Sequence, residues 1–251
     1  MITVLESASQ RIGRENQRVT FVSDLHWLSG RSNADTHHGR IERVIDDADI
    51  CIWGGDLFDF RWSRVGDDDA SVATALQWLD RWYRMFPKKH FVYLNGNHDS
   101  HLAFHDALVQ WSSVRDRFTS DLECVRIGDT LWLHGDVIEG DGTADAFTRY
   151  RHKWHDKPVA GKLANRVYDV AVHARVHRAA AIAGHRKRNT CRRLIRWMNR
   201  QPTEQTIGIK RVVFGHTHRR MLGYRLQEID FYNGGAAIRH VPFHPITLDV
   251  R

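Results

Sequence analysis

The chain has 251 residues, of which 42% are hydrophobic and 10% aromatic, and its formal net charge is +7. This apolar and aromatic content excludes a disordered protein, and α/β chains of this length often form one domain. No run approaches the roughly 18 apolar residues of a transmembrane segment, and the charged first nineteen residues contain no apolar stretch typical of a signal peptide, so we expect one cytoplasmic domain over residues 1–251.

The first half of the chain predicts alternating strands and helices. Short apolar runs at 19–23, 50–53 and 91–94 each end in a polar cluster, and amphipathic helices are predicted between them at 39–48 and 70–86. This order indicates parallel strands joined by right-handed helical crossovers.

The second half predicts a more antiparallel set of strands. Runs at 122–126 and 130–133 flank Ile127-Gly128-Asp129, which has the composition of a hairpin turn. Further strands are predicted at 211–214, 223–226, 229–232 and 247–250. We therefore expect an α/β fold in which two sheets pack face to face between flanking helices.

The segment from Thr143 to Lys210 is a basic, helical insertion. It carries sixteen Lys and Arg against four Asp and Glu, whereas the rest of the chain carries twenty-one against twenty-six. Helical spacing places two apolar sets on separate faces: Leu163, Val167, Val170 and Ala174, and Cys191, Leu194, Ile195 and Met198. Opposite the second set lie Arg192, Arg193, Arg196 and Arg200. This last helix either docks on the core with a solvated basic face or forms a lid whose basic face meets phosphate or an anionic membrane.

Five polar clusters follow apolar runs, where open α/β sheets place their ligand sites. In chain order they are Asp24-Leu25-His26, Gly54-Gly55-Asp56, Asn97-His98-Asp99, His134-Gly135-Asp136 and Gly215-His216-Thr217-His218. One such cluster fits an ordinary hydrogen-bonded turn, but five in succession do not arise by chance. Carboxylate, imidazole and amide donors together suit Mn, Fe or Zn better than Mg or Ca, and a shared carboxylate can bridge two ions.

These five motifs resemble those of the calcineurin-like metallophosphoesterase superfamily. The resemblance implies a four-layer α/β/β/α sandwich and two divalent metal ions that activate a water against phosphorus. It implies one ion held by Asp24, His26, Asp56 and His218, and a second held by Asp56, Asn97, His134 and His216. It also implies that His98 contacts the phosphate and protonates the leaving group, with Asp99 orienting it.

Within the superfamily the chain is similar to the UDP-2,3-diacylglucosamine hydrolases of lipid A synthesis. The stretches GGDLFDFRWSRVGDDD and HGDVIEGDG resemble segments of those enzymes, and the helical insertion precedes GHTHR at the position of their acyl-binding lid. Those enzymes usually have Arg where this chain has His98.

We therefore expect a metal-dependent hydrolase, with Mn²⁺ preferred over Fe or Zn, that cleaves a phosphodiester or pyrophosphate bond. The expected partner is an anionic, nucleotide- or lipid-linked substrate bound in part by Arg192, Arg196 and Arg200, with peripheral contact at the inner membrane face. A nuclease or another small-molecule phosphodiesterase on the same core is the alternative, because a basic surface also suits nucleic acid. A purely structural metal site is disfavoured because seven ligands for two ions leave room for water and substrate.

Overall fold

The computed structural model describes residues 2–5, 16–155, 157–173 and 184–250, and within them the chain forms two sheets. The strands of the first sheet are β2 (Gln17–Val22), β3 (Ile50–Trp53), β4 (His90–Leu94), β5 (Phe118–Leu122) and β11 (Ile246–Val250). Their order in the sheet is β11-β2-β3-β4-β5. Strands β2 to β5 are parallel, and β11 is antiparallel to β2.

The strands of the second sheet are β1 (Thr3–Val4), β6 (Cys124–Ile127), β7 (Thr130–Leu133), β8 (Arg211–Phe214), β9 (Met221–Leu226) and β10 (Ile229–Asn233). Their order in the sheet is β1-β6-β7-β8-β10-β9. Strands β6 and β7 form the predicted hairpin, with Ile127 opposite Thr130, and β7 runs parallel to β8. The sequence predicted one strand at 122–126, whereas the chain leaves the first sheet at Leu122 and enters the second at Cys124.

The two sheets pack face to face through an apolar layer. Phe21 of β2 lies 6.0 Å from Trp132 of β7, measured between ring centroids, and Ile52, Val92 and Val213 are fully buried in the same cluster. Helices α1 (His38–Asp47), α2 (Asp68–Met85) and α3 (Leu102–Ser112) cover the outer face of the first sheet. This confirms the predicted α/β sandwich, in which the central strands of each sheet are buried on both faces.

The described part of the insertion contains helices α4 (Ala144–His155), α5 (Lys162–His173), α6 (Lys187–Met198) and α7 (Thr203–Thr206). Helix α6 forms the outer layer of the second sheet, because Leu194, Ile195 and Met198 are buried against residues such as Leu133 and Phe214. Of the two alternatives for this helix, the structure therefore shows the one in which it docks on the core with its basic face in solvent. No helix of the described residues is both long and apolar enough to span a membrane.

Helix α5 has a different distribution of apolar side chains. Tyr168 and Val172 pack inward, whereas Leu163, Val167 and Val170 are 75%, 64% and 69% exposed. The predicted apolar row is therefore an outward row, and its fourth member, Ala174, lies outside the described residues.

These two helices predict opposite responses to truncation. Leu194→Ala should lower the free energy of unfolding by about 2–5 kcal/mol, because it opens a cavity between α6 and the second sheet. Leu163→Ala, the matched control on α5, should change it by about 0.5 kcal/mol or less, because that side chain is already exposed. Urea unfolding measures both changes, and equal effects would contradict the docking of α6.

Candidate metal centre

The seven predicted metal ligands lie at one edge of the sandwich, just beyond the carboxyl ends of parallel strands. Asp24 and His26 follow β2, Asp56 follows β3, and Asn97 follows β4. From the second sheet, His134 follows β7, and the pair His216 and His218 follows β8. Because β2, β3 and β4 are parallel neighbours, as are β7 and β8, their carboxyl ends bring these side chains together.

The backbone is unusual at these positions. Five of the seven residues adopt a positive φ, between 46° and 61°, which few residues other than glycine do: Asp24, His26, Asp56, His216 and His218. Backbone strain of this kind persists only where surrounding contacts hold it and concentrates at functional sites. The turns therefore aim these side chains at the common edge at a cost in local stability.

Two glycines allow the ligand-bearing loops to approach closely. A Cβ at Gly96 would lie 2.4 Å from Asp56 Oδ1, and one at Gly215 would lie 2.2 Å from Asp24 Oδ2. With any larger residue at these two glycine positions, the adjacent carboxylate would have to move. The glycines of GNHD and GHTH are thus explained by packing against the ligands of other strands.

The first group of candidate ligands consists of Asp24, His26 and His218, with one donor atom from each within 4.8 Å of the others. The Nε2 atoms of His26 and His218 lie 3.1 Å apart, and His218 Nε2 is 3.3 Å from Asp24 Oδ1. Burial, followed by the charge of Arg31, lowers the pKa of His26 to about 3. A neutral imidazole is the form that binds a metal.

The second group consists of Asp56, His134 and His216, again with donor atoms within 4.8 Å of one another. His134 Nδ1 donates to the Gly54 carbonyl at 3.0 Å, which leaves Nε2 free to face Asp56 Oδ2 at 3.3 Å. Burial alone would lower the pKa of His134, but the adjacent Asp56 carboxylate raises it to about 10. The surroundings of this group therefore favour positive charge.

Asn97 and His134 supply an independent test of whether metal ions fit. Asn97 Oδ1 and His134 Nε2 are buried and have no hydrogen-bond partner among the described residues. Buried polar atoms are almost always paired, so the unpaired Asn97 Oδ1 acceptor fits a bound cation, and His134 Nε2, which faces Asp56 Oδ2 at 3.3 Å, becomes a ligand atom in its neutral form. The donor set of carboxylate, amide and imidazole fits divalent transition metals.

His98 belongs to a third group with His26 and Asp59, whose donor atoms also lie within 4.8 Å of one another. The sequence did not single out Asp59. His98 Nδ1 is 2.9 Å from Oδ1 of the buried Asp59, whose other oxygen is paired with Arg31. Burial acts to raise the pKa of Asp59, but the charges of Arg31 and His98 hold it well below its usual range. An ionised Asp59 therefore accepts the Nδ1 proton and leaves His98 Nε2 for the substrate side.

Asp99, which the sequence predicted to orient His98, instead accepts hydrogen bonds from the backbone after Asp56. Its carboxylate accepts hydrogen bonds from the backbone of Leu57 at 3.2 Å and Phe58 at 2.9 Å, so it supports the turn after Asp56. The structure thus pairs His98 with Asp59 rather than with Asp99. The spacing of Asp59, three residues after Asp56 in GGDLFDF, was the available signal.

Comparison with known proteins assigns the family. The family model for calcineurin-like phosphoesterases matches residues 17–220, which include every candidate ligand. The chain belongs to the calcineurin-like phosphoesterase family. This phosphoesterase is therefore a metal-dependent hydrolase of a dinuclear-metal family.

Other comparisons add a distant structural neighbour. This phosphoesterase is similar to a solved structure from Streptococcus pneumoniae TIGR4, described as a conserved uncharacterized protein and predicted phosphoesterase. The TM-score is 0.40 and the identity 13%, over 94% of this chain and 85% of that one. The search of curated proteins found no match.

The insertion contributes residues to the phosphoesterase site that the sequence did not reveal. The buried Arg151 of α4 donates to both carboxylate oxygens of Asp136, to Ser100 Oγ at 3.1 Å and to the Asn95 carbonyl at 2.7 Å. It thereby ties α4 to the loops that carry Asn97 and His134. Such long-range contacts have no local sequence pattern.

Two other side chains flank candidate ligands. Glu139 Oε1 lies 3.0 Å from His216 Nε2, an arrangement in which the carboxylate can fix the tautomer of a metal-binding imidazole. The ring of Trp154 packs 4.2 Å from that of His98, between centroids. Glu139 falls in the acidic stretch HGDVIEGDG, which was the available signal for it.

Of the arginines predicted to bind substrate, Arg192 and Arg196 lie on the outer face of α6, and Arg200 follows the end of that helix at Met198. Arg192 and Arg196 line a surface cavity of about 590 Å³, whose described lining includes none of the predicted metal ligands. Arg200 donates to the Asp141 carbonyl at 2.8 Å. The structure therefore brings the seven metal ligands and His98 together but places these three arginines on a separate surface.

Proposed function

We propose that this phosphoesterase hydrolyses a phosphodiester or pyrophosphate bond in a nucleotide- or lipid-linked anionic substrate, with UDP-2,3-diacylglucosamine as the leading candidate. The observation that carries the reaction is the arrangement of two candidate ligand groups with His98 beside them, held by Asp59. The proposed identity of the substrate is supported by the sequence resemblance and by the basic insertion.

In this proposal each ligand group holds one ion, with Asp56 common to both. Asp24, His26 and His218 complete the first site, and the second is completed by Asn97, His134 and His216. We propose Mn²⁺ as the metal, with Fe or Zn as alternatives. When bound, two such ions lower the pKa of a water and clamp the oxygens of an in-line displacement at phosphorus.

His98 supplies the proton that the leaving group requires. With Nδ1 hydrogen-bonded to the Asp59 carboxylate, the protonated imidazole carries its second proton at Nε2. Transfer of that proton to the leaving oxygen, which is an alkoxide oxygen in an alkyl diester and a phosphate oxygen in a diphosphate, leaves a neutral imidazole. Asp59, ionised under the charge of Arg31, accepts the Nδ1 hydrogen bond and holds the imidazole ring in this orientation.

The exposed face of α5 supports a lipid-linked substrate and peripheral membrane contact. Leu163, Val167 and Val170 form an outward apolar row, while Arg192 and Arg196 on α6 are exposed and can attract anionic headgroups. We propose that the chain is one domain. Segment 143–210 contacts the cytoplasmic face of a membrane and binds the lipid-linked substrate there. Arg200 belongs to the proposed anion-binding set.

Direct assay distinguishes the proposed substrate from nucleic acid. Purified protein with Mn²⁺ should cleave UDP-2,3-diacylglucosamine to UMP and the acylated sugar 1-phosphate, detected by mass spectrometry. Single-stranded DNA and an activated phosphodiester are assayed in parallel, with Asp56→Ala as the inactive control. Cleavage of DNA without the UDP-linked substrate would replace this proposal with a nuclease.

A further inference from the structure

A buried arginine contacts the carboxylate that holds His98. Arg31 is 6% exposed, and its Nη2 atom is paired with Asp59 Oδ2, while Asp59 Oδ1 lies 2.9 Å from His98 Nδ1. The same Nη2 atom lies 3.2 Å from Nδ1 of the candidate ligand His26. Arg31 Nε is buried and has no hydrogen-bond partner among the described residues. Because a single nitrogen makes both of these polar contacts, they do not fix the plane of the guanidinium group.

An aromatic ring from the insertion covers this guanidinium group. Cζ of Arg31 lies over the ring of Tyr168, a residue of α5, at 4.8 Å from its centroid. A cation is attracted to the face of an aromatic ring, most strongly where water is excluded. The ring of Tyr168 also stacks on Trp62, with 4.4 Å between centroids and 12° between the planes. Tyr168 is thus held in place itself and supplies the contact that orients Arg31 towards Asp59.

Further contacts fasten the insertion to the loop that carries Asp59. The guanidinium group of Arg64 is paired with the carboxylate of Asp169 on α5. Just before this helix, the backbone of Ala160 donates to the Arg61 carbonyl at 2.7 Å. Residues that closely follow Asp59 in the chain therefore bind α5 and its approach, so the position of the helix is coupled to that of the carboxylate.

We propose that Tyr168 is a positioning residue for His98 and acts through Arg31 and Asp59. The inference rests on the proposed function, because the role of His98 as proton donor belongs to it. With Tyr168 in place, Arg31 holds the Asp59 carboxylate. The carboxylate then accepts the Nδ1 proton, and Nε2 of His98 faces the leaving oxygen. Misplacement of a reacting group by ~1 Å can lower a rate about 10²-fold, so helix α5 is part of the catalytic apparatus as well as the carrier of the outward apolar row.

A role of Tyr168 in folding alone predicts a different pattern. Together with Val172, the other inward residue of α5, Tyr168 packs in an apolar cluster that contains Ala236 and Ile238. Val172 is buried in the same cluster, so Val172→Ala is the matched control for a loosened α5. Tyr168→Phe is the conservative variant, because it keeps a ring over Arg31 and removes only the hydroxyl group. The two variants separate loss of packing from loss of the ring.

Dependence on the leaving group tests the positioning role. For Tyr168→Leu we expect kcat on 2′,3′-cyclic AMP, whose leaving group is a ribose oxygen, to fall about 5- to 30-fold, equivalent to the loss of one buried cation–π contact. KM and metal content should stay at their parent values. The rate on bis(p-nitrophenyl) phosphate should stay within about twofold, because p-nitrophenolate needs little protonation. Tyr168→Phe should restore the rate on the cyclic nucleotide. Equal losses on both substrates in Tyr168→Leu, or a selective loss in Val172→Ala, would overturn the positioning role.

A measurement on His98 itself separates failure of this inference from failure of the proposed function. In protein labelled with ¹⁵N-histidine and loaded with Zn²⁺, the ring nitrogens of His98 are assigned by their absence from the NMR spectrum of His98→Ala. We expect the Nδ1 chemical shift to move in Tyr168→Leu and to keep its parent value in Tyr168→Phe and Val172→Ala. An unchanged shift in Tyr168→Leu would overturn the positioning role, whichever substrates the protein cleaves. A parent protein that hydrolysed no phosphoester would refute the proposed function, and the shift would still decide whether Tyr168 positions His98.

Discussion

Asp56→Ala is expected to abolish turnover and to remove both metal ions from the protein. Asp56 is buried, its Oδ2 lies 3.3 Å from His134 Nε2, and its Oδ1 accepts a hydrogen bond from the backbone of His98 at 2.7 Å. A carboxylate shared by two cations compensates charge at both sites, so its loss weakens both. Elemental analysis of the purified variant measures the metal content, and steady-state assay with added Mn²⁺ measures the rate.

The control for this change is Asp47→Ala, which removes an exposed carboxylate at the end of α1 and should retain both metals and full activity. Thermal unfolding of Asp56→Ala, compared with metal-free parent protein, separates loss of metal from loss of fold. Two ions at full occupancy in a folded Asp56→Ala variant would refute the bridging role.

His98→Ala is expected to retain both metals and to lose about 10²- to 10⁴-fold in kcat on a diester with an alkyl leaving group, the usual range for general acid catalysis. An alkoxide is a strong base and must be protonated as the bond breaks. An aryl leaving group such as p-nitrophenolate needs little protonation, so its hydrolysis should decline much less. Measuring kcat on both substrates gives the ratio of the two losses.

Asp59→Asn extends this prediction. Because Asp59 accepts the Nδ1 proton of His98 at 2.9 Å, its replacement should lower the rate in the same direction and with the same dependence on the leaving group. Asp99→Asn, which changes a carboxylate bonded to the backbone of Leu57 and Phe58, serves as the comparison. Equal losses on alkyl and aryl substrates in His98→Ala would show that His98 positions the phosphate instead of protonating the leaving group.

The sequence alone was sufficient for the sandwich and for the order of the ligand motifs. Short continuous apolar runs and the polar clusters after them are local features, so β2, β3, β4, β7 and β8 could be located, together with the residues that follow each strand. The five positive φ values at candidate ligands occur inside those same clusters. Local signals of this kind survive without knowledge of the rest of the chain.

Contacts between distant segments required the tertiary structure. The sequence of an amphipathic helix indicates that its apolar face is covered, but it does not identify the element that covers it. In the structure α6 packs its apolar face on the second sheet, whereas α5 leaves Leu163 and Val167 exposed. Likewise, Asp59 and Asp99 are both plausible partners for His98 by type and position, and only the path of the turn after Asp56 distinguishes them. Trp154 approaches His98 through the docking of α4. These contacts depend on how whole helices and sheets pack against each other. The packing is determined by the burial of many side chains from distant segments, so no single stretch of sequence encodes it.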